Sequence, residues 1–328
     1  MAITSTEDLK QYLKSKNVLF ESIEELSGGT ANFVFRMREP SGRSVVIKHA
    51  EPYIKTRSSF PFPVERMDFE ANALRTVSSH LPQDDIVNAA EVYSYDSEAH
   101  VIMMSDGGSR DLKTAYSDPA LDVVSFGNKL GRWLAMLHSR TTKVDIGDNT
   151  IAKNIYRWSS KHLAGALEKY GFDKSLGDTV NEEYGLLLAT DDVCVCHGDF
   201  WPGNVLVGSD GKLTIVDWEM VRRGTGATDV GQFAAETWLL DRFRGGRGML
   251  DAFLKGYMEV SGGKPSKEFA KRVVVHWGTH IAYWPTSVQW GDKEETRNVV
   301  DIGRENIVKA MENDWEWLRH SPLGLLIS

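Results

Sequence analysis

The stretch His197-Gly198-Asp199-Phe200-Trp201-Pro202-Gly203-Asn204, followed at short range by Ile215-Val216-Asp217-Trp218-Glu219, constrains this chain more than any other. Between the two lie the apolar runs Val205-Leu206-Val207 and Leu213-Thr214-Ile215-Val216, joined through Ser209-Asp210-Gly211-Lys212. An Asp-Gly pair between such runs predicts a hairpin with a two-residue turn. In that register Ser209 faces Lys212, Val207 faces Thr214, Val205 faces Val216, and Asn204 faces Asp217. An amide oxygen and a carboxylate then stand side by side.

Hard oxygen donors in this arrangement suit magnesium, which keeps several waters and is held by one or two protein groups together with substrate phosphates. Asn204 and Asp217 are therefore candidate metal ligands. Asp199 precedes Asn204 by five positions, the interval between base and metal-binding Asn in the catalytic loop of phosphoryl-transfer enzymes. It is the candidate base for an attacking hydroxyl. As turn chemistry alone, Asp199 and Asn204 would only flank Pro202-Gly203. That reading leaves unexplained the acid opposite Asn204 and the matching parts upstream.

Those parts come in order. Gly28 and Gly29 sit between strand-like runs and let the backbone approach a phosphate, a plain turn being the alternative. Lys48 ends the aliphatic strand Ser44-Val45-Val46-Ile47 and needs water or a charge partner, because burying an unpaired ammonium is costly. Residues 65–79 read as a helix with Phe69, Ala73, Leu74 and Val77 inward, and Glu70 shares that face. Lys48 with Glu70 is then the ion pair that places a lysine on nucleotide phosphates, Glu65 being the alternative partner. Val92 to Tyr95 and His100 to Met104 complete a five-stranded sheet. The polar Ser105-Asp106-Gly107-Gly108-Ser109 divides residues 1–104, a nucleotide-binding lobe, from residues 105–328, a catalytic and substrate-binding lobe. The backbone near Met103 and Met104 is the candidate adenine contact, with core filling as the alternative for their side chains.

Beyond the connector the periodicity is helical, beginning with Phe126, Leu130, Trp133, Leu134 and Leu137. Further helices are predicted over 153–171, 178–190, 229–242, 246–260, 267–283 and 293–318. Asp229 either caps its helix or braces the catalytic loop, and bracing is favoured. Trp277, Tyr283, Trp284 and Trp290 either wall a pocket for a cationic or aromatic substrate or form helical core. Cys194 and Cys196 alternate on one strand, a spacing that suits neither a disulfide nor a zinc pair, and so read as buried thiols.

A chain of 328 residues with a net charge of −8 has room for two lobes and does not present the basic surface that nucleic acid or an anionic membrane requires. Its N-terminus lacks an apolar signal region, and no run of about 18 apolar residues occurs, so the cytoplasm is the expected compartment.

Glycine loop, Lys48, Glu70, connector, Asp199 with Asn204, and Asp217, in that order, resemble the aminoglycoside phosphotransferase and choline kinase-like superfamily, from about Leu26 to Gly303. Within it Ile47-Lys48-His49-Ala50, Val64-Glu65-Arg66, Asp217-Trp218-Glu219 and Gln289-Trp290-Gly291 look like the fungal branch near methylthioribose kinase, which also holds a 4-hydroxytryptamine kinase. The resemblance implies an α+β, bilobal protein kinase-like fold, with a small antiparallel-sheet N-lobe and a larger helical C-lobe. It further implies ATP with magnesium as cofactors, transfer to the hydroxyl of a small metabolite, and Glu219 as a support for a second magnesium. His197-Gly198-Asp199 stands where protein kinases have His-Arg-Asp, Asp217 is followed by Trp-Glu rather than Phe-Gly, and no Ala-Pro-Glu motif follows. An activation loop has no room, which disfavours a protein kinase. The alternative function is a nucleotide-binding regulator without transfer activity, although every named catalytic position is filled. Choline-like, aminoglycoside, methylthioribose and hydroxyindole acceptors all stay open.

Overall fold

The first helix, α1 (Thr6–Ser15), begins where the Ser5 hydroxyl accepts the Asp8 N–H, and its buried Leu9, Tyr12 and Leu13 cover one face of a sheet. The computed structural model describes residues 2–27, 29–81 and 86–327. Gly28 lies outside them. Strands β1 (Ser22–Glu25), β2 (Phe33–Arg38) and β3 (Ser44–His49) are followed by a small hairpin, β4 (Tyr53–Ile54) with β5 (Arg57–Pro61), and by helix α2 (Arg66–His80). After β6 (Val87–Ala89), strands β7 (Val92–Asp96) and β8 (Val101–Ser105) complete an antiparallel sheet of order β1-β2-β3-β8-β7. This is the expected five-stranded sheet.

Alternation along β3 sorts its side chains. Val45 and Ile47 pack with Phe35, Met37 and α1, so Val46 and Lys48 face the other way, toward α2. Met104 and Ile102 lie opposite Val46 and Lys48 and share their face, while Met103 pairs with Ile47 on the α1 side. The side chains of Met103 and Met104 thus lie on opposite faces of the sheet. Both are inside β8, between β3 and β7, and only the Met104 side chain lies on the Lys48 face.

The rest of the chain is mainly helical. Short β9 (Arg110–Asp111) and α3 (Leu112–Ala115) lead to α4 (Val123–Arg140), α5 (Thr150–Tyr156), α6 (Trp158–Lys169) and α7 (Ser175–Val180). The helix expected over 153–171 divides at Arg157, which closes α5 and opens α6. The helix expected over 178–190 instead ends at Val180 and continues as a π-turn and a 3-10 turn. Strands β10 (Cys194–Cys196), β11 (Val205–Val207), β12 (Leu213–Ile215) and β13 (Arg222–Gly224) carry the central motif. Helices α8 (Gly226–Arg244), α9 (Met249–Ser261), α10 (Lys267–Tyr283), α11 (Lys293–Met311) and α12 (Trp315–Leu318) follow. The last two separate because Asn313 adopts a left-handed φ of 58°, which Asn tolerates. Trp277 is fully buried against Trp238 and belongs to the core.

The β11–β12 hairpin differs from its expected register by one residue. Gly208 N–H donates to the Lys212 carbonyl at 2.8 Å, leaving a three-residue loop whose last member, Gly211, has φ 78°. A left-handed glycine closing a three-residue loop is a common alternative to the two-residue turn. Val205 therefore faces Ile215, Leu206 faces Thr214 and Val207 faces Leu213. Asn204 meets Val216, whose N–H donates to its carbonyl at 3.0 Å, and Asp217 begins one residue further on. The hairpin sits in a four-stranded sheet of order β6-β12-β11-β9, in which β6, from before the connector, runs parallel to β12.

Candidate active site

Strand β10 runs antiparallel to β13 and feeds the loop that holds Asp199. Cys194 and Cys196 on it are free, buried thiols, as expected. The loop is clamped from beneath by Asp229, which is fully buried. Its carboxylate accepts the N–H of His197 at 2.8 Å and of Gly198 at 3.1 Å, and bonds His138 Nε2 at 3.2 Å. Thr225, not Asp229, caps α8. The bracing role is thus the observed one. Gly198 makes the tight passage at φ 87°, where a Cβ would collide with the Met220 carbonyl oxygen.

The Asp199 carboxylate is held from three directions. Oδ1 accepts from Gln232 Nε2 at 2.7 Å, and Oδ2 from Asn204 Nδ2 at 3.0 Å and Trp201 Nε1 at 3.3 Å. Burial and the nearby Asp217 charge push its pKa up to about 7, against the pull of these three hydrogen bonds. Such a carboxylate is poised to accept a proton near neutral pH. Asn204 Nδ2 also donates to the Asp199 carbonyl at 2.9 Å, so the amide nitrogen is committed and Oδ1 is its remaining donor atom for a metal.

Asp217 adopts left-handed φ 65° and ψ 61°, a conformation Asp accepts more readily than most residues. Its side chain remains 36% exposed. Lys48, only 6% exposed, donates to Glu70 Oε2 at 2.7 Å and to Asp217 Oδ1, and lies 3.9 Å from Glu219 Oε2. Burial would lower its pKa, but the three carboxylates outweigh burial and raise it. Glu70 is pushed up to about 7 by burial despite Lys48. Its Oε1 accepts the Trp218 N–H at 3.2 Å, which ties α2 to the segment after Asp217. Glu70, not Glu65, is the lysine's partner.

Carboxylate oxygens of Glu70, Asp217 and Glu219 fall within 4.8 Å of one another, but the Lys48 ammonium already serves that cluster. Glu219 is further committed. Its Oε2 accepts from Asn32 Nδ2 at 2.7 Å and Arg66 Nε at 3.1 Å, while Arg66 Nη2 donates to Asn32 Oδ1 at 2.8 Å. Arg66 is fully buried, lies 4.0 Å from the Phe62 ring centre and donates twice more to the Phe62 and Pro63 carbonyls. This triangle links the glycine loop, α2 and the turn after Asp217. The donor set that fits magnesium is therefore Asp217 with the Asn204 amide oxygen, two hard oxygens on adjacent loops.

Asn32, Arg66, Trp201 and Gln232 were not singled out from the sequence. Gln232 could have been found, since it lies three residues after Asp229 and so on the same helix face. Gly29 stands in the glycine loop, where an added Cβ would find only ordinary contacts, with the Asn32 carbonyl 3.8 Å away.

Residues 22–266 match the phosphotransferase enzyme family. The 4-hydroxytryptamine kinase of Psilocybe cubensis is 30% identical over 319 residues, covering 88% of this chain and 87% of that protein. The methylthioribose kinase of Yersinia enterocolitica is 24% identical over 236 residues, covering 63% of this chain and 57% of that protein. Among solved structures, a macrolide 2'-phosphotransferase from Brachybacterium faecium superposes with TM-score 0.53 at 17% identity, over 92% of this chain and 97% of that one. An ADP-bound aminoglycoside phosphotransferase gives TM-score 0.52 at 18% identity, over 93% and 99%. At such identities these structures speak for the fold alone, which is α+β and kinase-like. The family match, however, spans Lys48, Glu70, the Asp199 loop and the Asp217 hairpin together, and the chain belongs to the phosphotransferase enzyme family.

Proposed function

We propose that the chain is an ATP- and magnesium-dependent kinase that transfers the γ-phosphoryl group to a hydroxyl of a small molecule. The observation that carries this reading is the convergence of Asp199, Asn204, Asp217 and the Lys48–Glu70 pair on one cleft. Residues 1–104 form the nucleotide lobe and residues 105–328 the catalytic lobe, with β6 bridging them through its pairing to β12. The segment around Gly29 covers the phosphates, and Met104, on the face of β8 that Lys48 shares, lines the base pocket. We place the enzyme in the cytoplasm, where its nucleotide is supplied.

In this reading Asp199 orients the acceptor hydroxyl and takes its proton, and Gln232 and Trp201 fix the carboxylate so that one oxygen faces the acceptor. Lys48, positioned by Glu70, neutralises phosphate charge. Asn204 and Asp217 would hold magnesium, which when bound supplies charge neutralisation across the phosphates. Glu219, whose Oε2 is tied to Arg66 and Asn32, keeps the turn after Asp217 in place, and its other oxygen would support a second magnesium. Catalysis is then mainly positioning and electrostatics, as phosphoryl transfer requires.

The test is product identity. Incubation with ATP, magnesium and a panel of hydroxylated amines, sugars and hydroxyindoles is expected to yield a phosphomonoester of at least one acceptor by mass spectrometry. Nucleotide binding with no phosphorylated small molecule across that panel would contradict the reading.

A further inference from the structure

Beside the Asp199 carboxylate the protein holds one of its own cations in an unusual setting. The ammonium of Lys113, on α3, lies 3.2 Å from Glu236 Oε2, 4.7 Å from the ring centre of Trp201 and 4.4 Å from that of Trp290. A carboxylate and two indole faces around an ammonium form the kind of cage that recognises alkylammonium ligands. The cage adjoins the base. Trp201 donates to Asp199 Oδ2 at 3.3 Å, and Gln232, one helical turn before Glu236 on α8, donates to Asp199 Oδ1 at 2.7 Å. A cation in the cage and a hydroxyl at Asp199 are thus close enough to belong to one small molecule.

The two charged partners are held differently. Glu236 is 6% exposed and anchored through Oε1 to His280 Nε2 at 2.9 Å. Although burial opposes ionisation, His280 and Lys113 hold its carboxyl below the usual range. Lys113 extends a flexible four-carbon stem from a helix of only four residues and keeps 19% of its side chain exposed. The lysine can withdraw; the carboxylate cannot follow it. With the lysine gone Glu236 keeps only His280, so a positively charged group restores the charge pairing that a neutral group does not. A neutral molecule leaves the lysine where it is.

We propose, resting on the kinase reading above, that Lys113 is a specificity-determining residue whose ammonium holds the place of the acceptor's own alkylammonium group. Acceptors bind by displacing Lys113 from the Glu236–Trp201–Trp290 cage.

The test is binding of two near-isosteric probes, 2-phenylethylamine and 2-phenylethanol, measured by calorimetry on the full chain. Lys113→Met should tighten the amine by roughly 10-fold, the share of about one charge-assisted contact no longer competed for, and leave the alcohol unchanged. Glu236→Gln should weaken the amine by a similar factor. Lys113→Gln, which keeps a polar end, replaces the Met variant if that protein fails to fold. Amine affinity that is unchanged or weaker without Lys113, or amine and alcohol shifted alike, overturns the proposal. Because binding is read without turnover, the two readings separate. Amine binding as described with no phosphorylated product fails only the kinase assignment, and product formation with Lys113-independent amine binding fails only the cage.

Discussion

Asp229 accepts the backbone N–H of His197 at 2.8 Å from a distance of 32 residues along the chain. The same carboxylate takes the Gly198 N–H, so two consecutive amides that lead into Asp199 are satisfied by one side chain. Asp229→Asn keeps the shape but turns an amide NH2 toward one of these donors. A buried amide left unpaired costs about 1–3 kcal/mol. We expect a lowered denaturation midpoint together with a lowered kcat, since the loop that aims Asp199 is loosened. An unchanged midpoint in urea would show that the clamp contributes nothing.

Gln232 reaches Asp199 from the same helix face. Gln232→Ala should lower kcat by roughly 10-fold through loss of one orienting hydrogen bond, with nucleotide affinity unchanged, because the partners of Gln232 are the Asp199 carboxylate and the Tyr156 hydroxyl, which donates to its Oε1 at 3.2 Å. Steady-state kinetics with ATP and acceptor varied separately would check this. A loss confined to nucleotide KM would contradict the assigned role.

Glu219 and Arg66 form a pair in which both side chains are nearly or fully buried. Removing one partner of such a pair leaves an uncompensated charge and typically costs about 3–5 kcal/mol. Arg66→Met and Glu219→Gln should therefore each destabilise strongly, and the double variant should lose less than the sum. A double-mutant cycle measures the coupling; additive losses would mean that the triangle with Asn32 does not act as a unit.

His197 is fully buried. Its Nδ1 accepts the Asp199 N–H at 3.2 Å, and Nε2 faces the Val216 carbonyl at 3.1 Å, which assigns the proton to Nε2. Burial lowers its pKa from 6.5 to about 4. Between those values the unfolded chain binds a proton that the folded chain does not, so stability falls as pH drops through that window and is fully present above it. Urea midpoints from pH 7 to 4 should decline more steeply in the wild type than in His197→Gln. Parallel declines would contradict the assignment.

Much of this site was legible in the sequence because it follows from needs that few arrangements satisfy. A lysine inside an aliphatic strand requires an acid, and Glu70 was the acid on the inward face of the next helix. The five-residue interval from Asp199 to Asn204 survives any error in strand register, since both lie in one loop. The register itself failed, because Asp-Gly supports both a two-residue turn and a three-residue loop ending in a left-handed Gly211, and local sequence does not choose between them. Met103 and Met104 are neighbours in sequence, yet strand alternation sends their side chains to opposite faces. The roles of Arg66 and Asn32 are not legible locally, because nothing in the neighbouring sequence marks a buried arginine; its partner, Glu219, is 153 residues away.

The central claim, that Asp199 is the base of a phosphoryl transfer to a small-molecule hydroxyl, is tested most directly by acceptor-dependent ADP release in wild type and Asp199→Ala, with nucleotide affinity measured in parallel. The account predicts a loss of about 10² to 10⁴-fold in turnover, the usual share of a general base, with nucleotide binding nearly intact. Wild-type turnover in Asp199→Ala would contradict it.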